Sequence, residues 1–212
     1  MPLLLQGAHQ LFLLFRRHTA KHRILPRRCG QSGIVGNLGR IHPFVCPGQP
    51  GIELPSSIVF TQDVAAACQD KLVLLFATPS PFVRQTARAA RAYIPNGQII
   101  ADASKGLEAE TLLPLSEVIR QEVSADGLHP SLRLVALSGP THAEEVARDM
   151  PTTIVSASTD QGAAETVQDV FMNTCLRVYT NEDILGVELC GALKNIIALA
   201  CGIATGLGYG DN

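Results

Sequence analysis

Between residues 71 and 182 the chain repeats one arrangement: a short apolar run, a turn-forming cluster, then a stretch with helical spacing. KLVLLFATP (71–79), GQIIADASKG (97–106), LRLVALSGP (132–140), PTTIVSAS (151–158) and CLRVYTNE (175–182) read as strands. Between them, SPFVRQTARAARAYIP (80–95), GLEAETLLPLSEVIRQEV (106–123), THAEEVARDM (141–150) and DQGAAETVQDVFMN (160–173) carry helical periodicity, and helix dominates again from Ile184. Short strands separated by helices of this length predict an α/β fold whose mostly parallel sheet is covered on both faces. In such sheets ligands bind outside the carboxyl ends of the strands. No internal repeat or low-complexity segment interrupts the pattern.

The first quarter of the chain does not join it. Of the 17 Lys and Arg residues, seven lie in 1–52 (Arg16, Arg17, Lys21, Arg23, Arg27, Arg28 and Arg40), whereas the first acidic residue is Glu53. The remainder therefore holds ten basic against nineteen acidic residues, and the join falls near Gly51–Pro55. Gly33, Gly36 and Gly39 have a phosphate-loop flavour but no hydrophobic strand before them, and the strand, G-x-G-x-x-G, helix order of a dinucleotide fingerprint is absent. A transit peptide is basic and acid-poor in the same way, but this segment lacks an amphipathic stripe and is rich in proline and glycine. Six scattered cysteines with no C-x-x-C pair and no His cluster at ligand spacing predict neither a disulfide framework nor a metal site, and fit a reducing cytoplasm. With 46% hydrophobic residues and a net charge of −2, nothing marks the chain as disordered or as a nucleic-acid binder.

Three places carry candidate chemistry. In GVELCGALKNIIALACGIATGLGYGDN (186–212), helical geometry puts Lys194, Asn195 and Thr205 in one sector with Gly191, Ala198 and Gly202. Small neighbours leave room for a ligand to reach the amine, and apolar flanks are expected to desolvate it and lower its pKa into the acid–base range. Val187, Leu193, Ile196, Ile197 and Leu207 fall on the opposite sector and are expected to pack as core. With Lys194 and Asn195 in its middle and no basic anchors, the segment is not read as a membrane span. In ADASKGLE (101–108), Lys105 follows a strand end and precedes a glycine, so it can face the ligand edge or simply solvent. In LSGPTHAEE (137–145), Thr141 and Glu144 form a T-x-x-E pattern that predicts a capping box. The free backbone N–H groups of that helix start would offer an anion site, although an ordinary capped helix reads the same way. His142 is expected to be a structural or surface histidine, not a catalytic base.

Taken together, G-I-E-L-P (51–55), A-T-P-S (77–80), A-S-K-G-L-E (103–108), L-S-G-P-T-H-A-E-E-V-A (137–147), P-T-T-I-V-S-A-S (151–158) and above all residues 186–212 resemble the bacterial-type NAD(P)-dependent glycerol-3-phosphate dehydrogenase family. The resemblance runs from about residue 51 to the end. It implies a Rossmann-like domain over 51–183 and the start of an all-helical substrate domain over 184–212. It also implies NAD or NADP as cofactor, and hydride transfer between the nicotinamide and dihydroxyacetone phosphate to give sn-glycerol 3-phosphate for phospholipid synthesis. The enzyme would be cytoplasmic, with a small-molecule substrate, no nucleic acid and the possibility of a homodimer. Carried over by motif, Lys194 matches the catalytic proton donor and acceptor and touches substrate. Lys105 matches a contact to substrate and cofactor, Gly139 and Thr141 match substrate positions, and Ala143 matches a cofactor contact. A non-catalytic fragment of such an enzyme, or a related dehydrogenase acting on another hydroxy acid, is the alternative. Residues 1–50 show none of the family's opening strand and glycine-rich turn, and the family continues past the G-D-N motif. The 1–50 segment is therefore expected to be a shifted-frame product joined just before Gly51, leaving the next strand with an unpaired edge.

Overall fold

The computed structural model describes the backbone of residues 3–7, 10–16, 45–46, 49–53 and 59–209, and the side chains of residues 61–209. The glycines at 33, 36 and 39 lie outside the described residues. Strands β1 (Leu3–Gly7) and β2 (Gln10–Arg16) are followed by β3 (Val45–Cys46), β4 (Gln49–Glu53) and β5 (Val59–Thr61). The regular alternation then begins: α1 (Val64–Cys68), β6 (Lys71–Phe76), α2 (Val83–Ala90), β7 (Ile99–Asp102), α3 (Leu115–Val123), β8 (Arg133–Ser138), α4 (Ala143–Val146), β9 (Thr152–Ala157), α5 (Gln161–Phe171), β10 (Leu176–Asn181) and α6 (Ile184–Gly206).

One eight-stranded sheet runs in the order β10-β9-β8-β7-β6-β2-β1-β5. In its better-patterned half β6, β7 and β8 are parallel, as are β9 and β10, while β8 and β9 are antiparallel. Over β6–β10 the expected α/β, Rossmann-like and mostly parallel sheet is thus present, with one reversal. The edge of β6 expected to be bare is instead paired antiparallel with β2, Phe12 opposite Phe76 and Leu14 opposite Leu74. Only residues 8 and 9 separate β1 from β2, too few for the crossover helix of a dinucleotide-binding βαβ unit.

Both faces of the sheet are covered at β6, β7 and β8, which is why these strands are continuously buried instead of alternating. Leu74, Phe76, Ile100 and Leu134 point to one face, where they pack with Ala67, Val83, Ala87, Val118 and Ile119 from α1, α2 and α3. Val73, Leu75, Ile99, Val135 and Leu137 point to the other, against Ala163 and Val167 of α5. The period of two along each strand sorts these residues between two cores.

Two expected helices are shorter than their spacing suggests. The segment expected to be helical over 106–123 becomes helix only at Leu115, because Pro114 has no N–H to give and disfavours helix in the residue before it. Ahead of it, Leu107 bridges Pro114 and Leu112 sits at φ +58°. The segment expected to be helical over 141–150 is reduced to the four residues of α4, with Asp149 at φ +58° just before Pro151.

The third departure concerns α6. Asp183 caps it by accepting a hydrogen bond from the Gly186 N–H at 2.8 Å, and among its described residues only Glu188 is buried. Leu193, Ile196, Ile197 and Leu207, expected to be core, are exposed in the described structure. By length and composition α6 is apolar enough to cross a membrane. Its first turns nevertheless pack on the sheet: a Cβ built on Gly191 would come within 2.7 Å of the Ser138 hydroxyl.

Candidate functional site

The parallel strands β6, β7 and β8 end side by side, so the segments after Phe76, Asp102 and Ser138 share one edge of the sheet. That edge gathers most of the residues singled out in the sequence. The Lys105 ammonium donates to the Thr141 hydroxyl at 3.1 Å, across the carboxyl ends of β7 and β8. Lys105 is half-buried, and its pKa is lowered, first by burial and then by the charge of Lys194; Asp102 opposes the shift. The lysine on α6 is therefore brought close enough to act on the lysine from the β7 turn. Lys194 itself is exposed among the described residues, so the desolvation expected for it falls on Lys105 instead.

Gly139 and Thr141 reach this edge by a route other than the expected one. No capping box forms: α4 starts at Ala143 with His142 as its cap residue, and no side chain bonds to its first amides. Four residues give little helix dipole to support an anion there. Thr141 instead folds back, its N–H donating to the Gly139 carbonyl at 2.8 Å, and its hydroxyl faces Lys105. Glycine at 139 has a packing cause, since a Cβ would lie 2.7 Å from the Thr153 carbonyl and 2.9 Å from the Ile154 Cα. A valine at 139 would therefore disturb β9 before it disturbed any ligand. Ala143 is exposed at the first position of α4.

Sequence reasoning missed the acids behind the lysines. Asp102 closes β7 almost wholly buried, and its carboxylate accepts from the Ser104 N–H at 3.0 Å. Burial pushes its pKa up to about 7; the Ser104 N–H and Lys105 oppose this, and the Glu188 carboxylate adds to it. Glu188 crosses from α6 to the start of α3, accepting from the Ser116 N–H at 2.9 Å and the Ser116 hydroxyl at 2.5 Å. Its pKa is also raised, by burial foremost. An aspartate ending the run I-I-A-D, and a glutamate opening the polar sector of α6, were the available signals.

The turn that carries Lys105 is tied down from outside. Arg84 of α2 makes a two-point contact with Glu108, Nε to Oε1 and Nη2 to Oε2 at 2.6 Å each, and reaches Glu122 of α3 at 2.8 Å. Hydrogen bonds from Arg84 and Thr111 hold Glu108 down at about 2; Arg88, then Arg84, does the same for Glu122. A planar guanidinium matches two carboxylates in this way better than an ammonium could.

Two hydroxyls at the same edge, Thr78 after β6 and Ser104 after β7, are buried without a partner. Buried polar groups are normally satisfied, so this pair fits a polar ligand laid across the strand ends. Among the described residues no glycine-rich turn and helix start stand ready for a pyrophosphate. No group of three metal-ligating side chains occurs among them either.

Two family models match the chain. The one described as NAD-dependent glycerol-3-phosphate dehydrogenase N-terminus covers residues 48–164, and the one described as the C-terminus of the same family covers residues 183–212. A glycerol-3-phosphate dehydrogenase [NAD(P)+] 2 of Lactobacillus delbrueckii subsp. bulgaricus is 64% identical over 163 residues, which is 77% of this chain and 48% of that relative. A glycerol-3-phosphate dehydrogenase [NAD(P)+] of Moorella thermoacetica is 50% identical over 163 residues, 77% of this chain and 47% of the relative. The crystal structure of a glycerol-3-phosphate dehydrogenase from Coxiella burnetii superposes with TM-score 0.66 at 30% identity, over 77% of this chain and 48% of that one. The chain spans about half the length of the curated relatives it matches.

Proposed function

The chain belongs to the NAD-dependent glycerol-3-phosphate dehydrogenase family, and from that premise we propose that it carries part of the machinery for hydride transfer between NAD(P)H and dihydroxyacetone phosphate, giving sn-glycerol 3-phosphate. The observation that carries the reading is the Lys105–Thr141 hydrogen bond across the carboxyl ends of β7 and β8, with the charge of Lys194 acting on the same Lys105. When bound, the nicotinamide supplies or accepts the hydride. Its reactive end would rest against the segments after β6 and β7, where Thr78 and Ser104 have unmet hydrogen-bonding capacity.

The chain's own residues then have distinct tasks. Lys194, exposed at this edge, gives a proton to the C2 oxygen in reduction and takes it back in oxidation. Lys105, oriented by Thr141, places a second positive charge beside the oxygen as negative charge develops on it, and helps hold the substrate phosphate. Burial and then the charge of Lys194 make the Lys105 ammonium readier to release a proton. Gly139 lets the turn lie flat against β9, so that Thr141 can approach. Ala143 would border the cofactor. The small-molecule substrate favours a soluble, cytoplasmic enzyme, with α6 serving as a domain helix despite its apolar surface. A role in phospholipid synthesis and assembly as a homodimer complete the reading.

The test is replacement of the lysine matching Lys194 by alanine in the full-length Lactobacillus delbrueckii relative. Turnover should fall by at least ~10² with nicotinamide binding little changed, the scale for loss of general acid–base catalysis. A loss of less than tenfold would remove Lys194 from that role.

A further inference from the structure

The buried carboxylate of Glu188 takes no part in the chemistry above, yet it makes a contact between distant parts of the chain. It sits 72 residues from Ser116, and it receives both the backbone N–H and the hydroxyl of that residue. Ser116 is the second residue of α3, a helix whose N-cap is Pro114, and no side chain of Pro114 can satisfy the free amides there. The helix start is therefore capped in trans, by a carboxylate from α6. One turn further along α6, Gly191 lies against the Ser138 side chain, so the two contacts together fix both where α6 crosses the sheet and how it is rotated about its own axis. Lys194 follows Glu188 by six residues, within two turns of this anchor.

We propose that Glu188 is a positioning residue, which by capping α3 holds α6 in the rotation that turns Lys194 toward Lys105. The proposal deepens the dehydrogenase reading, on which it rests for its functional meaning. Its physical content is the geometry of two ammonium groups. With the cap in place, the charge of Lys194 acts on Lys105; without it, α6 loses its only buried polar anchor among the described residues and the lysines separate. The charges that face this arrangement are few: Asp102 and Lys194 act on Lys105, while Asp102 and Glu117 stand near Glu188.

The coupling between the lysines can be read without substrate or cofactor. In the full chain, reductive methylation with carbon-13 labels each lysine amine, and Lys105→Arg assigns its signal. Titration of that signal with and without Lys194→Met gives the coupling as the difference in the Lys105 pKa. Glu188→Ala should shrink this difference by at least about twofold, because a cycle of this kind isolates the pairwise contribution from the direct effect of removing a carboxylate. Glu188→Gln, which loses the charge and keeps an acceptor oxygen for Ser116, should preserve most of it. Should Glu188→Ala fail to fold by circular dichroism, Ser116→Ala decides, since it deletes the 2.5 Å contact from the other side and should also weaken the coupling. A coupling unchanged in Glu188→Ala, or in Ser116→Ala where that variant decides, overturns the proposal. So does the lack of any coupling in the parent chain. Loss of coupling alongside a full-length relative whose turnover ignores Lys194 would uphold the cap and overturn the dehydrogenase role, so the two failures are separate.

Discussion

Asp102→Asn should change how the stability of this chain depends on pH. Asp102 is 4% exposed, and its pKa is pushed up from 3.8 to about 7, chiefly by burial. In the unfolded chain it titrates near the ordinary value. Between the two, the folded state keeps a proton that the unfolded state has released, so stability falls as pH rises through this window. Above the folded pKa the full penalty applies, on the order of 4 kcal/mol for a gap of about three pH units at roughly 1.4 kcal/mol each. Asparagine keeps the oxygen that accepts from Ser104 and carries no charge at any pH. Relative to the parent, the variant should therefore gain about 2–3 kcal/mol of unfolding free energy between pH of about 5 and about 8. Urea denaturation followed by circular dichroism at a series of pH values reads this difference directly, and the groups common to both chains cancel. A difference that stays flat within about 0.5 kcal/mol over that range would refute the assignment of a buried, proton-holding carboxyl to this position.

Other perturbations test other parts of the site. Gly139→Ala should destabilise the fold by about 1–3 kcal/mol in chemical denaturation, because the new Cβ meets backbone of β9 and not a movable side chain; neutral behaviour would show that the strand can move aside. Arg84→Ala should flatten the loss of stability on acidification: Glu108 and Glu122 stand at about 2 when folded, so the stabilisation they bring is complete above their ordinary range and disappears as pH falls toward 2. Glu122 keeps Arg88, so most of the change should trace to Glu108, and an acid limb identical to the parent's would contradict this. Translating the DNA that encodes residues 1–50 in its two other frames should yield a hydrophobic strand followed by a glycine-rich turn in one of them; if neither does, the shifted-frame reading of that segment fails.

Local patterning made the sheet legible. The apolar runs of β6, β7 and β8 are recognisable because a strand buried on both faces needs no alternation, and the helices between the strands announce themselves by spacing. What the sequence hid was set by tertiary context. Pro114 and the left-handed Leu112 shorten a helix whose spacing continues upstream, and Asp149 with Pro151 does the same for α4. The T-x-x-E pattern at Thr141 was read as a cap, whereas Lys105, 36 residues away in the chain, takes that hydroxyl instead. Lys194 and Lys105 could be named from their surroundings and from family motifs. Their partners could not, because Glu188 reaches Ser116 across 72 residues and acts on Asp102 from further still, separations that no local window contains.

The shape of α6 has a mechanical consequence. It is held at its base by Glu188 and Gly191 and extends to Gly206 with its apolar residues exposed in the described structure, like a beam clamped at one end. From Glu188 the axis rises about 9 Å to Lys194 and about 27 Å to Gly206. A tilt of the beam therefore moves the lysine only a third as far as it moves the tip. A displacement of the outer turns would reach the Lys194 amine with that threefold reduction in amplitude.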